Sequence, residues 1–157
     1  MKILGLDAST RATGYGLIQD GELVNHGVID LHNSKMPVEE RIREMSVRLH
    51  DLINELSPNV IYVEEMWSKL NVQVTKSLSY IIGSVIGFGT ISNIDVNLIL
   101  PASWRSYIGL ELGKKKREEL KTEAVQFVKN KYGFEVGDDE AEGICIAYCG
   151  YLKTEEI

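Results

Sequence analysis

The alternation of apolar and polar positions divides this chain into short strands and amphipathic helices. An apolar run from Ile3 to Leu6 predicts a strand that is buried on both faces, and it ends at a single acid, Asp7. The Asp20-Gly21 pair is a strong signal for a two-residue hairpin between two further strands. In all, the pattern predicts strands over residues 2–8, 13–19, 22–30, 60–63 and 95–100.

Helices are predicted where apolar residues recur at intervals of three and four. The first opens at Pro37, a residue favoured in a first turn, and ends at Ser57-Pro58-Asn59. Three more are predicted over residues 72–88, 114–131 and 138–152, with a loop over 101–113 that has room for one helical turn. This order predicts an α/β fold, with a mixed five-stranded sheet flanked by helices on both faces. Three antiparallel strands lead into the parallel ones.

Length and composition indicate one globular domain over residues 1–157, because 157 residues with 44% apolar side chains can bury a sizeable core. We expect no membrane partner, since the sequence pattern predicts no apolar stretch long enough to span a bilayer. The N-terminus leads directly into a strand without a signal-peptide pattern, which predicts a cytoplasmic protein.

The net charge of −6 argues against a broad nucleic-acid-binding surface, but the segment from Trp104 to Lys121 carries six basic residues against three acidic ones. Its Lys114-Lys115-Lys116-Arg117 run is either a solvated helix face or a phosphate contact. The contrast with the overall charge favours phosphate.

Acidic residues stand at three separate margins of the predicted core. Asp7 ends the first strand, Glu64 ends the fourth, and Asp139 and Glu142 share one face of the last helix. Each acid alone is typical of a helix cap or a solvated side chain. If they converge, their mutual repulsion calls for counter-charge, and two Mg²⁺ ions about 4 Å apart would supply it and hold a phosphodiester.

Three motifs resemble those of the RuvC family of Holliday-junction resolvases, in the RNase H-like superfamily. They are Ile3 to Gly16, Val63-Glu64-Glu65-Met66-Trp67, and Asp139 to Ala147. They follow the family's order over nearly the whole chain. One departure is Glu142, where the family usually has the shorter Asp.

The resemblance implies an endonuclease that nicks two strands symmetrically across a four-way DNA junction, leaving 5′-phosphate and 3′-hydroxyl ends. It implies that water activated by Mg²⁺, with Mn²⁺ as a substitute, is the nucleophile. The implied catalytic and metal-binding residues are Asp7, Glu64, Asp139 and Glu142. The implied DNA-binding residues are Trp67, stacked on a base, together with Arg105, Lys114, Lys115, Lys116 and Arg117 near the cut phosphate. Lys69 and Lys76 are expected to extend the groove.

The resemblance also implies a homodimer, and the helix over 72–89 is the predicted interface. Its small residues are equally compatible with ordinary close packing or with a two-fold contact, and a broad apolar face favours the contact.

Several neighbours of these residues are predicted to be structural. Strand alternation sends Glu65 away from Glu64. We predict that Asp138 is a helix cap, that Glu140 is solvated, and that Trp104 anchors a loop. Cys145 and Cys149 fit the pattern of small apolar residues on one helix face. His26, His32 and His50 show no ligand spacing and are expected on the surface or in loops.

Two other functions remain open from the sequence. One is a non-catalytic dimer that binds branched DNA, and the other is an RNase H-like nuclease with a different nucleic-acid substrate. An ATP-using kinase or chaperone fragment shares the opening strand and acid, but it needs two lobes of this fold, for which the chain is too short.

Overall fold

A computed structural model describes residues 1–65, 71–110 and 113–157. Within these ranges the chain forms five strands and five helices. The strands are β1 (Lys2–Asp7), β2 (Ala12–Gln19), β3 (Glu22–Asp30), β4 (Val60–Glu64) and β5 (Asp95–Ile99). The helices are α1 (Val38–Leu56), α2 (Val72–Ile91), α3 (Pro101–Tyr107), α4 (Arg117–Tyr132) and α5 (Asp138–Glu155).

The five strands form one mixed sheet in the order β3-β2-β1-β4-β5. β1, β2 and β3 are antiparallel, and β4 and β5 run parallel to β1, as predicted. The hairpin turn between β2 and β3 has positive φ at both Asp20 and Gly21, the backbone that a tight two-residue turn requires. Leu6 pairs with Val63, so the next residues, Asp7 and Glu64, lie side by side at one edge of the sheet.

Helices cover both faces of the sheet, as the sequence predicts. α1 and α2 pack on one face over a core that includes Leu4, Leu6 and Val63. The helices α3, α4 and α5 contribute to the core on the other face, which includes Ile3 and Tyr62. Successive strand residues point to opposite faces, which is why β1 supplies side chains to both cores.

Glycines in β1 and β2 allow α5 to lie directly on the sheet. A Cβ atom added at Gly14 would stand 1.7 Å from the backbone oxygen of Asp139, and one at Gly5 would stand 2.2 Å from the nitrogen of Ala147. No larger residue fits at either position without moving α5. This close approach brings the first turns of α5 beside the end of β1.

Three predictions about the helices need correction. Residues 101–107 form a helix, α3, which Pro101 opens at its first position. α4 begins at Arg117 rather than Lys114, because three consecutive cations oppose the positive end of the helix dipole, whereas Glu118 and Glu119 suit it. α2 extends to Ile91.

The expectation about membrane-spanning stretches was also wrong as stated. Among the described residues one helix, Val72–Ile91, is long and apolar enough to cross a bilayer. Its many Val and Ile residues and the presence of a single charged residue, Lys76, give it this composition. Part of its surface belongs to the core through Leu78, Ile81 and Val85.

Candidate active site

Three carboxylates from separate elements meet at the edge where β1 and β4 end. One oxygen from each of Asp7, Glu64 and Glu142 lies within 4.8 Å of the other two. The parallel pairing of β1 with β4 places the first two, and the close seat of α5 places the third. We call these residues the acidic trio.

Burial makes the trio electrostatically unfavourable. It raises the pKa of Asp7 well above the usual value, and the charges of Glu64, Glu142 and Asp139 raise it further. Burial likewise raises the pKa values of Glu64 and Glu142. The charges of Arg105 and Lys121 oppose these shifts without cancelling them, so the trio favours additional positive charge.

Two buried side chains hold the trio in place. Trp104 is fully buried, and its Nε1 donates a hydrogen bond of 2.5 Å to Glu64 Oε2, which lowers the pKa of Glu64 against the effect of burial. Arg105 is 5% exposed; its guanidinium lies over the Trp104 ring and 3.2 Å from Glu142 Oε1, and it donates to the Leu120 carbonyl. The sequence predicted a DNA contact for Arg105, and the structure places it against Glu142.

The fourth predicted carboxylate, Asp139, lines the same cleft but is not part of the trio. Its Oδ1 lies 3.9 Å from Lys121 Nζ, which also donates a 2.7 Å hydrogen bond to Asp138. Burial and the charge of Asp138 raise the pKa of Asp139. Burial opposes the charged form of Lys121, but the hydrogen bond and charge of Asp138 outweigh it and raise the pKa of this lysine.

The chemistry of these residues fits a divalent cation. Carboxylate oxygens are the ligands that Mg²⁺ prefers, and the trio offers them at a separation that one ion can bridge. Glu142 Oε1 is buried and has no hydrogen-bond partner among the described residues, despite its nearness to Arg105. An ion would satisfy this oxygen and relieve the repulsion that raises the pKa of Asp7.

The trio opens into a cleft of about 670 Å³ between the two helical layers. Arg105, Arg117 and Lys121 line it from the α3–α5 side. Arg11 and Arg41 line it from the β1–β2 turn and from α1. A negatively charged chain that enters this cleft therefore meets cations on both sides of the acids.

The other predicted DNA-binding residues are distributed differently. Lys114 and Lys116 are exposed before α4 begins, and Lys115 forms an ion pair with Glu123. Lys76 is exposed on α2 and is not among the residues that line the cleft. Trp67 and Lys69 lie outside the described residues.

Several predictions about neighbouring residues can be compared with the structure. Glu65 is exposed while Glu64 is 8% exposed, in agreement with strand alternation. Glu140 is not simply solvated, because its Oε1 lies 2.5 Å from His26 Nδ1. Gly137, not Asp138, is the N-cap of α5, although Asp138 accepts a hydrogen bond from the Asp139 backbone.

The two cysteines and the loop tryptophan were predicted with more success. Cys145 and Cys149 are free and buried, and burial raises the pKa of both thiols, that of Cys149 to about 11. Trp104 packs in the core as an anchor, but its bond to Glu64 was missed.

Sequence reasoning did not single out Arg11, Arg41 and Lys121 as site residues. The position of Lys121 in the sequence could have indicated a site residue, because it stands one helical turn after the basic run. In the structure it lies on the side of α4 that meets α5. Arg11 lies in the turn immediately after Asp7, a position that had to be near the site. Nothing in the sequence around Arg41 indicates a site residue, because only the fold brings the start of α1 to the cleft.

Comparison with known proteins points to one family. The family described as crossover junction endodeoxyribonuclease RuvC matches residues 3–105. A protein of that description from Alkaliphilus metalliredigens is 24% identical over 153 residues, covering 95% of this chain and 92% of the relative. Another, from Ehrlichia canis, is 26% identical over 156 residues, covering 94% and 97%.

Solved structures share the fold. Thermus thermophilus RuvC in complex with a Holliday junction substrate superposes with a TM-score of 0.79 at 16% identity, covering 99% of this chain and 96% of that one. The yeast mitochondrial Holliday junction resolvase gives a TM-score of 0.61 at 18% identity, covering 97% and 80%. Because the family match spans most of the chain and includes Asp7 and Glu64, the chain belongs to the RuvC family of crossover junction endodeoxyribonucleases.

Proposed function

We propose that this protein resolves four-way DNA junctions as a Mg²⁺-dependent endonuclease, cutting two strands symmetrically during DNA recombination and repair. The observation that carries the proposal is the acidic trio, in which three carboxylates with raised pKa values share one pocket. Family membership supplies the class of reaction, and the cleft supplies a place for a DNA strand beside the acids.

Asp7, Glu64 and Glu142 are the proposed metal ligands, and Asp139 is the proposed fourth carboxylate, for a second ion. Divalent ions at such a site supply the positive charge that activates water and stabilises the leaving 3′ oxygen, with Mn²⁺ expected to replace Mg²⁺. Arg105 holds Glu142, and Trp104 holds Glu64, so both act as positioning residues.

Lys121 and Arg117 are the cations best placed to meet the DNA backbone beside the trio, since both line the cleft from α4. We include Lys114, Lys115 and Lys116, which stand immediately before α4, as flanking phosphate contacts. Trp67 and Lys69, between β4 and α2, remain proposed DNA contacts on the basis of the family motif, and so does Lys76.

We propose a homodimer that forms through α2. One side of this helix packs in the core, while the opposite side exposes Val72, Tyr80 and Ile86 around the small residues Gly83 and Gly87. A Cβ atom added at either glycine would meet nothing within 4 Å, so this face has room for the close approach of a second helix.

The function is tested with a synthetic four-way junction that is labelled on each strand in turn. With Mg²⁺ we expect paired nicks at symmetric positions, with 5′-phosphate ends. With Ca²⁺ we expect binding without cleavage. Y-forks, linear duplexes and RNA–DNA hybrids are the matched substrates. Preferential cutting of a hybrid would favour another RNase H-like nuclease, and binding without cleavage in Mg²⁺ would favour a non-catalytic junction binder.

A further inference from the structure

Among the described residues two arginines are almost completely buried, and they differ in what surrounds their charges. Arg105 is 5% exposed and faces Glu142, so its charge is compensated. Arg41 is 7% exposed, and among the described residues no carboxylate lies within ion-pair distance of it. A buried cation without a counter-charge is unfavourable unless a ligand supplies one.

The hydrogen bonds of Arg41 use only part of its donor capacity. Its NH1 group donates to the Met36 carbonyl at 3.2 Å, and its Nε donates a long bond of 3.5 Å to Thr10 Oγ1. A guanidinium has five N–H donors in a planar fork that matches the oxygens of a phosphate. The remaining donors have no acceptor in the part of the chain that the structure describes.

The surroundings of Arg41 make its position still less favourable for a purely structural cation. It lies in the first turns of α1, near the positive end of the helix dipole. Burial lowers its pKa, and the nearby positive charge of Arg11 lowers it further. Glu39 and Glu40 in the same turn are exposed and form no ion pair with it.

Arg41, Arg11 and Thr10 line the same cleft as the acidic trio. They approach it from the α1 layer and the β1–β2 turn, whereas Arg117 and Lys121 approach from the α4 side. A DNA strand with its reacting phosphate at the trio would extend its neighbouring phosphates toward both sides.

We propose that Arg41 and Arg11, with Thr10, form a second phosphate subsite that holds a non-reacting backbone phosphate of the cut strand. This inference rests on the proposed function, because it takes the ligand to be DNA. The subsite fixes the strand on the side of the trio opposite the α4 cations. Arg41 thereby positions the strand and does not touch the reacting atoms.

The test measures binding of a synthetic four-way junction in Ca²⁺ over a series of salt concentrations. For Arg41→Gln we expect about tenfold weaker binding and a salt slope smaller by about one per subunit, since one phosphate contact is lost. Arg41→Lys should keep most of the slope. Arg43→Gln is the matched control, because Arg43 is exposed on the same helix and does not line the cleft.

Three outcomes separate the possibilities. An unchanged slope in Arg41→Gln, with or without a lower Tm, overturns the subsite and leaves Arg41 a structural residue. If that variant does not fold, Arg11→Gln decides, because Arg11 is exposed in a turn, and an unchanged slope there overturns the proposal. A wild-type protein that binds no junction would refute the proposed function. If the wild type binds normally and the variant binds equally well, only the phosphate subsite is refuted.

Discussion

Asp7, Glu64 and Glu142 gather three carboxylates in one pocket, where the charges of Arg105 and Lys121 do not cancel the effect of burial on their pKa values. The protein holds them there because β1, β4 and α5 are fixed by the rest of the core. Such an arrangement stores unfavourable free energy in the metal-free state, which a bound cation releases. If these residues are the metal ligands that we propose, they support activity while they lower the stability of the metal-free protein.

Asp7→Asn should raise the Tm of the metal-free protein by about 2 °C or more, the shift that about 1 kcal/mol produces in a domain of this size. The reason is that the variant removes the most strongly repelled charge. Thermal unfolding in EDTA and in Mg²⁺ measures the effect, and the stabilisation that Mg²⁺ gives the wild type should shrink in the variant. Glu65→Gln, an exposed neighbour of Glu64, is the control and should change neither Tm. A less stable Asp7→Asn protein in EDTA would contradict this account.

The stability difference should depend on pH. The pKa of Asp7 in the folded state is raised above the usual 3.8. Below pH 3.8 the Asp7 carboxyl is mostly protonated in both the folded and the unfolded state, so it has little effect on the free energy of unfolding. As the pH rises, the unfolded chain ionises first, so the metal-free wild type loses stability until the folded-state pKa is passed. The Tm gap between Asp7→Asn and the wild type in EDTA should thus be small near pH 4 and larger near pH 7. A Tm gap that narrows as the pH rises would refute this explanation.

At this scale the sequence predicted that four acids converge, and the structure brings Asp7, Glu64 and Glu142 together, with Asp139 in the same cleft but outside the trio. Asp7 and Glu64 each stand at the end of a buried strand, and this pattern can be read from the sequence alone. The Trp104–Glu64 bond and the contact between Arg105 and Glu142 join residues about forty positions apart in sequence, through a helix that was expected to be a loop. Likewise, the contact of Asp139 with Lys121 joins two helices, and nothing local in the sequence indicates it.

At the scale of elements, α2 carries more apolar surface than the rest of its own chain covers. Its inner side packs in the core, and its outer side exposes large apolar residues beside glycines. Sequence periodicity located this helix well. It could not decide between close packing and a two-fold contact, because small residues serve both.

Gly83→Glu should convert the proposed dimer to a monomer without unfolding the chain. A Cβ atom added at Gly83 meets nothing within 4 Å in a single subunit, and the position is exposed, so we expect a loss of association to come from the interface. Light scattering after gel filtration measures the mass, and circular dichroism checks the fold. Val47→Glu, which adds the same charge to an exposed apolar position on α1, should remain dimeric. A dimeric Gly83→Glu protein would place the interface elsewhere.

The whole molecule combines a net charge of −6 with a cleft that gathers cations on both sides of its acids. The topology was predictable, because a hairpin signal and two helical crossovers leave few ways to arrange five strands. The distribution of charge was only partly predictable. The basic run of residues 114–117 is contiguous in sequence, but only its last residue, Arg117, lines the cleft, whereas Arg11 and Arg41 reach the cleft through separate elements.

In the proposed dimer each subunit would hold a complete acidic trio, since Asp7, Glu64 and Glu142 all come from one chain. A mixed dimer of one wild-type and one Asp7→Asn subunit should therefore nick one strand of a junction and stop. Differently tagged chains allow the mixed dimer to be purified, and a plasmid with an extruded cruciform reports the result. We expect nicked circles from the mixed dimer and linear molecules from the wild type. The Asp7→Asn homodimer should leave the plasmid intact. A mixed dimer that makes no nick would mean that each site needs residues of both subunits, and one that makes linear plasmid would mean that a single site cuts both strands.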